Sequence, residues 1–218
     1  MAHAPSLRRL SGAPTELRID VQLPTDSVEA EIERVKARLH AAGRSLRAMT
    51  LLDLRLPGLA FRHREADGEH FVYVEDLANG RLAGCTVFNR LIELDRRADR
   101  LLRSPHSKYG RLYQRRGIAS AVYRWALERG MCLISGPRQS TGAHALWHSL
   151  AKHHPLGYVT LKDKGLGYLG RAIGAETLED FHTRMILLGQ GWDVESFLRE
   201  VRATVPEPTG ASALHPAA

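Results

Sequence analysis

The sequence predicts an α/β domain, and three observations carry that expectation. A loop at Gln114–Ser120 runs straight into a helical pattern from Ala121 to Arg129 that stops at Gly130. A short apolar run, Met131 to Ser135, follows it, so loop, helix and strand come in that order. Upstream, two strand-like runs flank Asn79-Gly80, a strong hairpin signal. A chain of 218 residues with 44% hydrophobic composition is long enough for one domain with a full core.

The elements follow in order. Residues 1–14 and 205–218 are rich in Pro, Ala, Gly and Ser and are expected to be disordered tails around a single domain at 15–204. Leu17–Leu23 alternates as a first strand would. Asp26, with Glu29 three residues on, has the form of a capping box. Val28, Ile32, Val35 and Leu39 mark one helix face, which Gly43 ends. Ser45–Leu54 reads as helical or irregular and leads to Pro57-Gly58. His70–Asp76 and Leu82–Leu94 are the two hairpin strands. Asp95–Ser107 is charged and irregular with a helical turn, and a short strand is expected near Ser107–Arg111. After the loop come the helix Ala119–Arg129, the strand Met131–Ser135, the helix Gly142–Lys152 and the strand Tyr158–Lys162. His182–Leu188 reads as a final strand. Val194–Val201 reads as a terminal helix with Val194, Phe197, Leu198 and Val201 on one side.

The loop has the chemistry of a phosphate cradle. Gly117 lets the backbone approach a ligand closely, and the small Ala119 keeps that approach open. The first amides of the helix have no partner inside it, and the helix dipole adds positive potential there. Arg115 and Arg116 add two charges, so a diphosphate should sit on Gln114, Arg115, Arg116, Gly117, Ile118, Ala119 and Ser120.

With its Gln/Arg-x-x-Gly-x-Gly/Ala pattern, this loop resembles the acetyl-CoA pyrophosphate loop of the GCN5-related N-acetyltransferases (GNAT). Ser140-Thr141-Gly142-Ala143-His144-Ala145-Leu146-Trp147 is similar to that family's next helix, usually Asn-x-x-Ala-x-x-Leu-Tyr. The resemblance covers roughly Phe61–Val159, and its texture looks most like phage and prophage-type members. It implies the GNAT (acyl-CoA N-acyltransferase) fold, a mixed central sheet flanked by helices. It also implies acetyl-CoA as donor, with Ser140 and Trp147 beside it, and transfer of the acetyl group to a primary amine.

Acetyl transfer needs a donor held in register, a nucleophile that loses a proton and a stabilised departing thiolate. Many relatives place a carboxylate base on the strand before the loop, but no acid lies between Pro105 and Gly117. Glu93, His106 and Glu75 are the candidates in its place. The family's thiolate-protonating Tyr would fall at Trp147, and an indole cannot serve as that acid. Tyr158, Ser140 or water are the substitutes, with Trp147 expected to pack against the pantetheine arm or the core. His144 and His148 stand one helical turn apart and His153 and His154 follow, but no third ligand is evident, so no metal is expected.

The formal net charge is +7, and nine Lys/Arg against three acids between Arg90 and Arg116 give that segment a surplus of six. A solvated basic loop is one reading, and an anionic acceptor or nucleic acid is the other. No run of eighteen apolar residues exists, so no membrane span is expected. Residues 1–14 lack the apolar stretch of a secretory signal. Cys85 and Cys132 sit in apolar runs as reduced core thiols. Together these favour the cytoplasm, and a homodimer is an open expectation. Three function classes remain: an N-acetyltransferase of small molecules or proteins, a phage-type relative acting on a DNA base or aminoacyl-tRNA, and a non-catalytic acyl-CoA-binding module.

Overall fold

The computed structural model describes residues 25–205. The expected strand at Leu17–Leu23, the side chain of Asp26 and both expected tails apart from Val205 lie outside the described residues. The chain runs α1 (Thr25–Ala41), a 3-10 turn (Leu46–Ala48), β1 (Thr50–Leu51), β2 (Leu59–Ala66), β3 (Glu69–Asp76) and β4 (Arg81–Asn89). It continues through α2 (Arg96–Leu101), β5 (Leu102–Tyr109), a second 3-10 turn (Arg111–Tyr113), α3 (Ile118–Glu128) and β6 (Cys132–Ile134). Last come α4 (Thr141–Leu150), β7 (Leu156–Lys162), β8 (Gly165–Gly170), α5 (Ala175–Glu179), β9 (Thr183–Leu187) and α6 (Val194–Glu200). The result is a mixed α/β fold with helices on both faces of one sheet, ordered β1-β2-β3-β4-β5-β6-β9-β7-β8.

Packing assigns the layers. α3 and α4 cover one face, where Ile118, Val122, Trp125, Leu127, Trp147 and Leu150 bury against Phe61, Val74, Phe88 and Leu187. On the other face α1 closes the first half of the sheet, setting Ile32 and Leu39 on Tyr73, Leu82 and Cys85. α2 and α6 close the second half, with Ala98, Phe197 and Val201 against Leu102, Ile134, Val159 and Ile186. Cys85 and Cys132 are free and buried, and burial pushes both thiols up to about 11. Among the described residues no helix is long and apolar enough to cross a membrane.

Four sequence expectations need correction. Asp95–Ser107 is not irregular: Asp95 caps α2 by accepting from the amides of Arg97 and Ala98, and β5 then starts at Leu102, five residues earlier than expected. Strand β4 ends at Asn89 rather than Leu94, because Leu91 and Leu94 turn inward as anchors of the second core. The hairpin loop between β3 and β4 is four residues, with Asp76 paired to Arg81, and the Asp76 carboxylate accepts from the amides of Ala78 and Asn79. Finally, β2 and β8 were not anticipated. Each is joined to its partner by a two-residue turn with two positive φ angles, β2 to β3 by Asp67 (53°) with Gly68 (77°) and β7 to β8 by Asp163 (50°) with Lys164 (60°). That is the primed-turn geometry whose twist suits a tight hairpin.

Candidate functional site: a forked cleft at the end of the central strands

Strand β5 decides where a ligand can enter. It is parallel to β6 at only two positions, Leu102 with Cys132 and Arg103 with Leu133. Beyond these it stays with β4, while the chain leaving β6 follows β9: Ser135 donates its amide to Met185 O (2.8 Å), and its Oγ accepts from Met185 N (3.0 Å). The two parallel strands therefore fork. A cleft of about 920 Å³ fills the fork, bounded by Ser104–Ser107 and Tyr109 on one side, Ser135–Ala143 on the other and the loop before α3 at its end.

The backbone of β5 faces this cleft on alternate residues. Gly110 N donates to Ala83 O (3.0 Å), so by antiparallel alternation residues 104, 106 and 108 bond to β4. The polar backbone groups of residues 105, 107 and 109 turn to the cleft. Pro105 lies where its missing N–H costs the sheet no ladder bond, as prolines in strands usually do.

At the far end the loop is pinned from three sides. Glu29 of α1 accepts from the Arg111 amide (2.8 Å), Tyr113 OH donates to Asp76 (2.7 Å), and Gln114 Nε2 donates to Tyr109 O (3.0 Å). Hydrogen bonds from Tyr113 and then Asn79 hold the Asp76 carboxyl at about 2. Arg115 (φ 57°) and Gly117 (φ 76°) both take the left-handed conformation, which is uncommon for arginine and tends to mark ligand-binding segments. The N-cap of α3 is Gly117 itself, which has no side chain to occupy the helix's first amides. α2, α4 and α6 are instead capped by Asp95, Ser140 and Asp193. The first bond α3 closes is Ala121 N to Gly117 O (2.9 Å), leaving the amides of Ile118, Ala119 and Ser120 free of helical partners.

Charge completes the picture. Among the described residues the cleft lining holds three arginines, Arg90, Arg115 and Arg138, and no carboxylate. Arg90 is paired with Asp99, so Arg115 and Arg138 carry the net positive charge of this lining. Among the described residues the lining holds one imidazole, that of His106. Its Nε2 is buried with no hydrogen-bond partner, and burial pulls its pKa below the ordinary 6.5. Gln139 Oε1 is likewise buried and unpartnered, while its Nε2 lies 3.2 Å from Met185 Sδ.

The other expected site residues divide. Gln114, Arg115, Gly117, Ile118, Ala119, Ser120, Ser140, Trp147 and His106 all line the cleft. Ser140 Oγ is committed to capping α4 by accepting from Ala143 N (3.1 Å). Arg116 is exposed outside the lining, with its guanidinium 5.7 Å from the centre of the Tyr113 ring. Glu93 is not in the cleft: it is exposed in the turn that follows the early end of β4. Glu75 pairs with Arg62 between β2 and β3 (3.2 Å). Tyr158 is buried on β7, which β6 and β9 separate from β5. His144 and His148 are exposed with ring centroids 4.4 Å apart, and among the described residues no group of three or more His, Cys, Asp or Glu is placed to hold a metal. Arg90, Tyr109, Tyr123, Arg138 and Gln139 belong to the cleft by topology and carried no motif in the sequence.

No family model matches the chain, and no curated protein matches it. Among solved structures it is similar to a GNAT-superfamily phosphinothricin acetyltransferase from Sinorhizobium meliloti in complex with AcCoA. That similarity has 19% identity, covers 57% of this chain and 63% of that one, and has a TM-score of 0.36. A spermidine N-acetyltransferase chimera from Vibrio cholerae and hSSAT matches at 15% identity over 56% of this chain and 68% of that one, with a TM-score of 0.33. The ribosomal-protein-S5-alanine acetyltransferase from Vibrio fischeri matches at 10% identity over 79% and 78%, with a TM-score of 0.35. The chain thus spans under two thirds of the first of these.

Trp147 is 3% exposed and packs in the main core under the cleft. Trp147→Phe should cost about 1–2 kcal/mol, less than the ~3–5 kcal/mol typical of a full aromatic truncation, because one ring still fills the site. Thermal unfolding checks this. Any turnover should stay within about threefold of the parent, since packing and not proton transfer is lost.

Proposed function

We propose that this chain is an acetyl-CoA-dependent N-acetyltransferase of the GNAT type, acting on a primary amine of a small molecule or protein. One observation carries the reading: a forked cleft, cationic and free of carboxylates, ends on an uncapped helix N-terminus. An extended ligand with a diphosphate at one end fits both features. The amides of Ile118, Ala119 and Ser120, with Arg115, would hold the diphosphate. The cleft-facing backbone of residues 105, 107 and 109 would pair with the amide arm of pantetheine.

His106 would take the amine proton. Burial disfavours its protonated form, so the ring is ready to accept a proton, and no carboxylate stands on β5. The basic segment Arg90–Arg116 weighs little towards nucleic acid, because much of it is spent internally. Arg90 pairs with Asp99, Arg100 with Glu200 (3.0 Å), and Arg103 donates to the carbonyls of Gly68, Asp99 and Leu102.

The test is calorimetric titration with acetyl-CoA, followed by CoA release in the presence of a panel of primary amines. Saturable binding with amine-dependent release supports the proposal. Binding without release under any amine favours a non-catalytic acyl-CoA-binding module, and absence of binding removes the reading.

A further inference from the structure

A chain of four hydroxyls runs under the cleft. Tyr109 OH lies 2.6 Å from Thr86 Oγ1, and Thr86 Oγ1 lies 2.7 Å from Ser107 Oγ. Ser107 Oγ donates to Tyr123 OH at 3.3 Å. Each hydroxyl has one hydrogen to give, so the last link fixes the direction of all the others. Because Ser107 gives its hydrogen to Tyr123, it must accept from Thr86. Thr86 has then spent its own hydrogen and must accept from Tyr109. Three links use three of the four hydrogens, and the one left over belongs to Tyr123.

Tyr123 is buried on α3 and is among the residues that line the cleft, with Ser107 and Tyr109. Among the described residues no protein group accepts its hydrogen. Polarisation runs toward Tyr123, since Thr86 and Ser107 each accept one hydrogen bond and donate the next, and such chains strengthen their terminal donor. A buried donor beside a cleft whose lining, among the described residues, holds no carboxylate has a ligand as its natural acceptor.

Resting on the acetyl-donor reading above, we infer that Tyr123 is the donor that stabilises the sulfur as it leaves the thioester. In the step it serves, the amine nitrogen forms a bond to the acetyl carbon and the C–S bond breaks. The bonding pair departs on sulfur as thiolate, and the amine proton goes to His106. The thiolate accepts the hydrogen bond of Tyr123 and is released as the thiol after taking a proton from the medium. Burial pushes the Tyr123 phenol up to about 12, so it stays a donor throughout the working range. Its place on α3, behind the loop glycine, supplies what Trp147 on α4 cannot.

The bound thiol of CoA itself reports this contact without any acceptor amine. An ordinary alkyl thiol titrates near 8.5, and a hydrogen bond to its anion favours the thiolate. Ultraviolet absorbance of the thiolate is followed in a pH titration of CoA bound to the full chain. The parent protein should hold roughly tenfold more thiolate at a fixed pH below the midpoint than free CoA does, the size expected of one charge-assisted bond. Tyr123→Phe, which keeps the ring beside Phe88, should lose that excess. Its affinity for desulfo-CoA should remain within about twofold of the parent, since that analogue lacks the sulfur. Ser107→Ala, a smaller perturbation that leaves Tyr123 in place, should give an intermediate thiolate fraction and guards against a misfolded Tyr123→Phe protein. Equal thiolate fractions in the parent and Tyr123→Phe, with CoA bound to both, overturn the inference while the donor reading stands. Failure of CoA to bind the parent at all removes both.

Discussion

Gly117→Glu should raise the dissociation constant for acetyl-CoA by at least about thirtyfold in a protein that still folds. Two costs add. A residue other than glycine at a φ of 76° costs about 1–2 kcal/mol, which is spent either on strain or on a shift of the loop. A carboxylate then stands where the amides of Ile118, Ala119 and Ser120 face the diphosphate and opposes the helix dipole's attraction for it. Folding survives because a Cβ built at Gly117 meets no atom within 4 Å, so nothing in the core is displaced. Gly117→Ala carries the first cost alone and should weaken binding by about fivefold to thirtyfold, less than Gly117→Glu. Calorimetry on both variants, with circular dichroism as the fold control, decides the matter. Unchanged affinity in a folded Gly117→Glu protein places the donor elsewhere.

The loop and its helix were legible in the sequence because their signals are local: a glycine at the turn, arginines beside it, and apolar residues at helical spacing that stop at Gly130. The same holds for α4 and for β7, where the period is clear. Asp67-Gly68 was as strong a hairpin signal as Asn79-Gly80, but the strand before it reads Arg62-His63-Arg64-Glu65, and polar side chains on its half-buried positions hid the alternation. β8 was hidden differently. Its turn, Asp163-Lys164, takes two positive φ angles without a glycine, and Gly165, Gly167 and Gly170 weaken its strand propensity.

The cleft was less legible than the loop that ends it. Its shape depends on β5 and β6 parting after two pairs, a tertiary event decided by Ser135 joining Met185 fifty residues on. No spacing rule brings Arg90 or Arg138 to the same cleft as Arg115. Two arginines of the basic segment show the opposite case. Their neighbours in sequence are cations, while in space Arg100 pairs with Glu200 and Arg103 donates to the carbonyls of Gly68, Asp99 and Leu102. Glu93 shows the same limit, since one strand ending five residues early moves it from the sheet to an exposed turn.

Replacing His106 should lower turnover by about a hundredfold to a thousandfold while leaving acetyl-CoA affinity within about threefold, the signature of a lost general base. The pH dependence gives the sharper test. Burial depresses the His106 pKa below 6.5, so the ring is neutral at pH 7 and already able to accept a proton. Activity should fall as pH drops through that depressed value, and kcat/KM should show an acid limb with its midpoint below 6.5. His106→Gln keeps a polar side chain of similar reach but cannot titrate, so its residual rate should lose that limb. Stability moves in the matching direction. A histidine depressed in the folded state takes up its proton more readily when unfolded, so the folded protein loses stability as pH falls below 6.5. In His106→Gln that acid-side loss should shrink, which denaturant titrations at pH 5 and pH 7 would register. An unchanged acid limb in His106→Gln assigns the base to another group or to solvent.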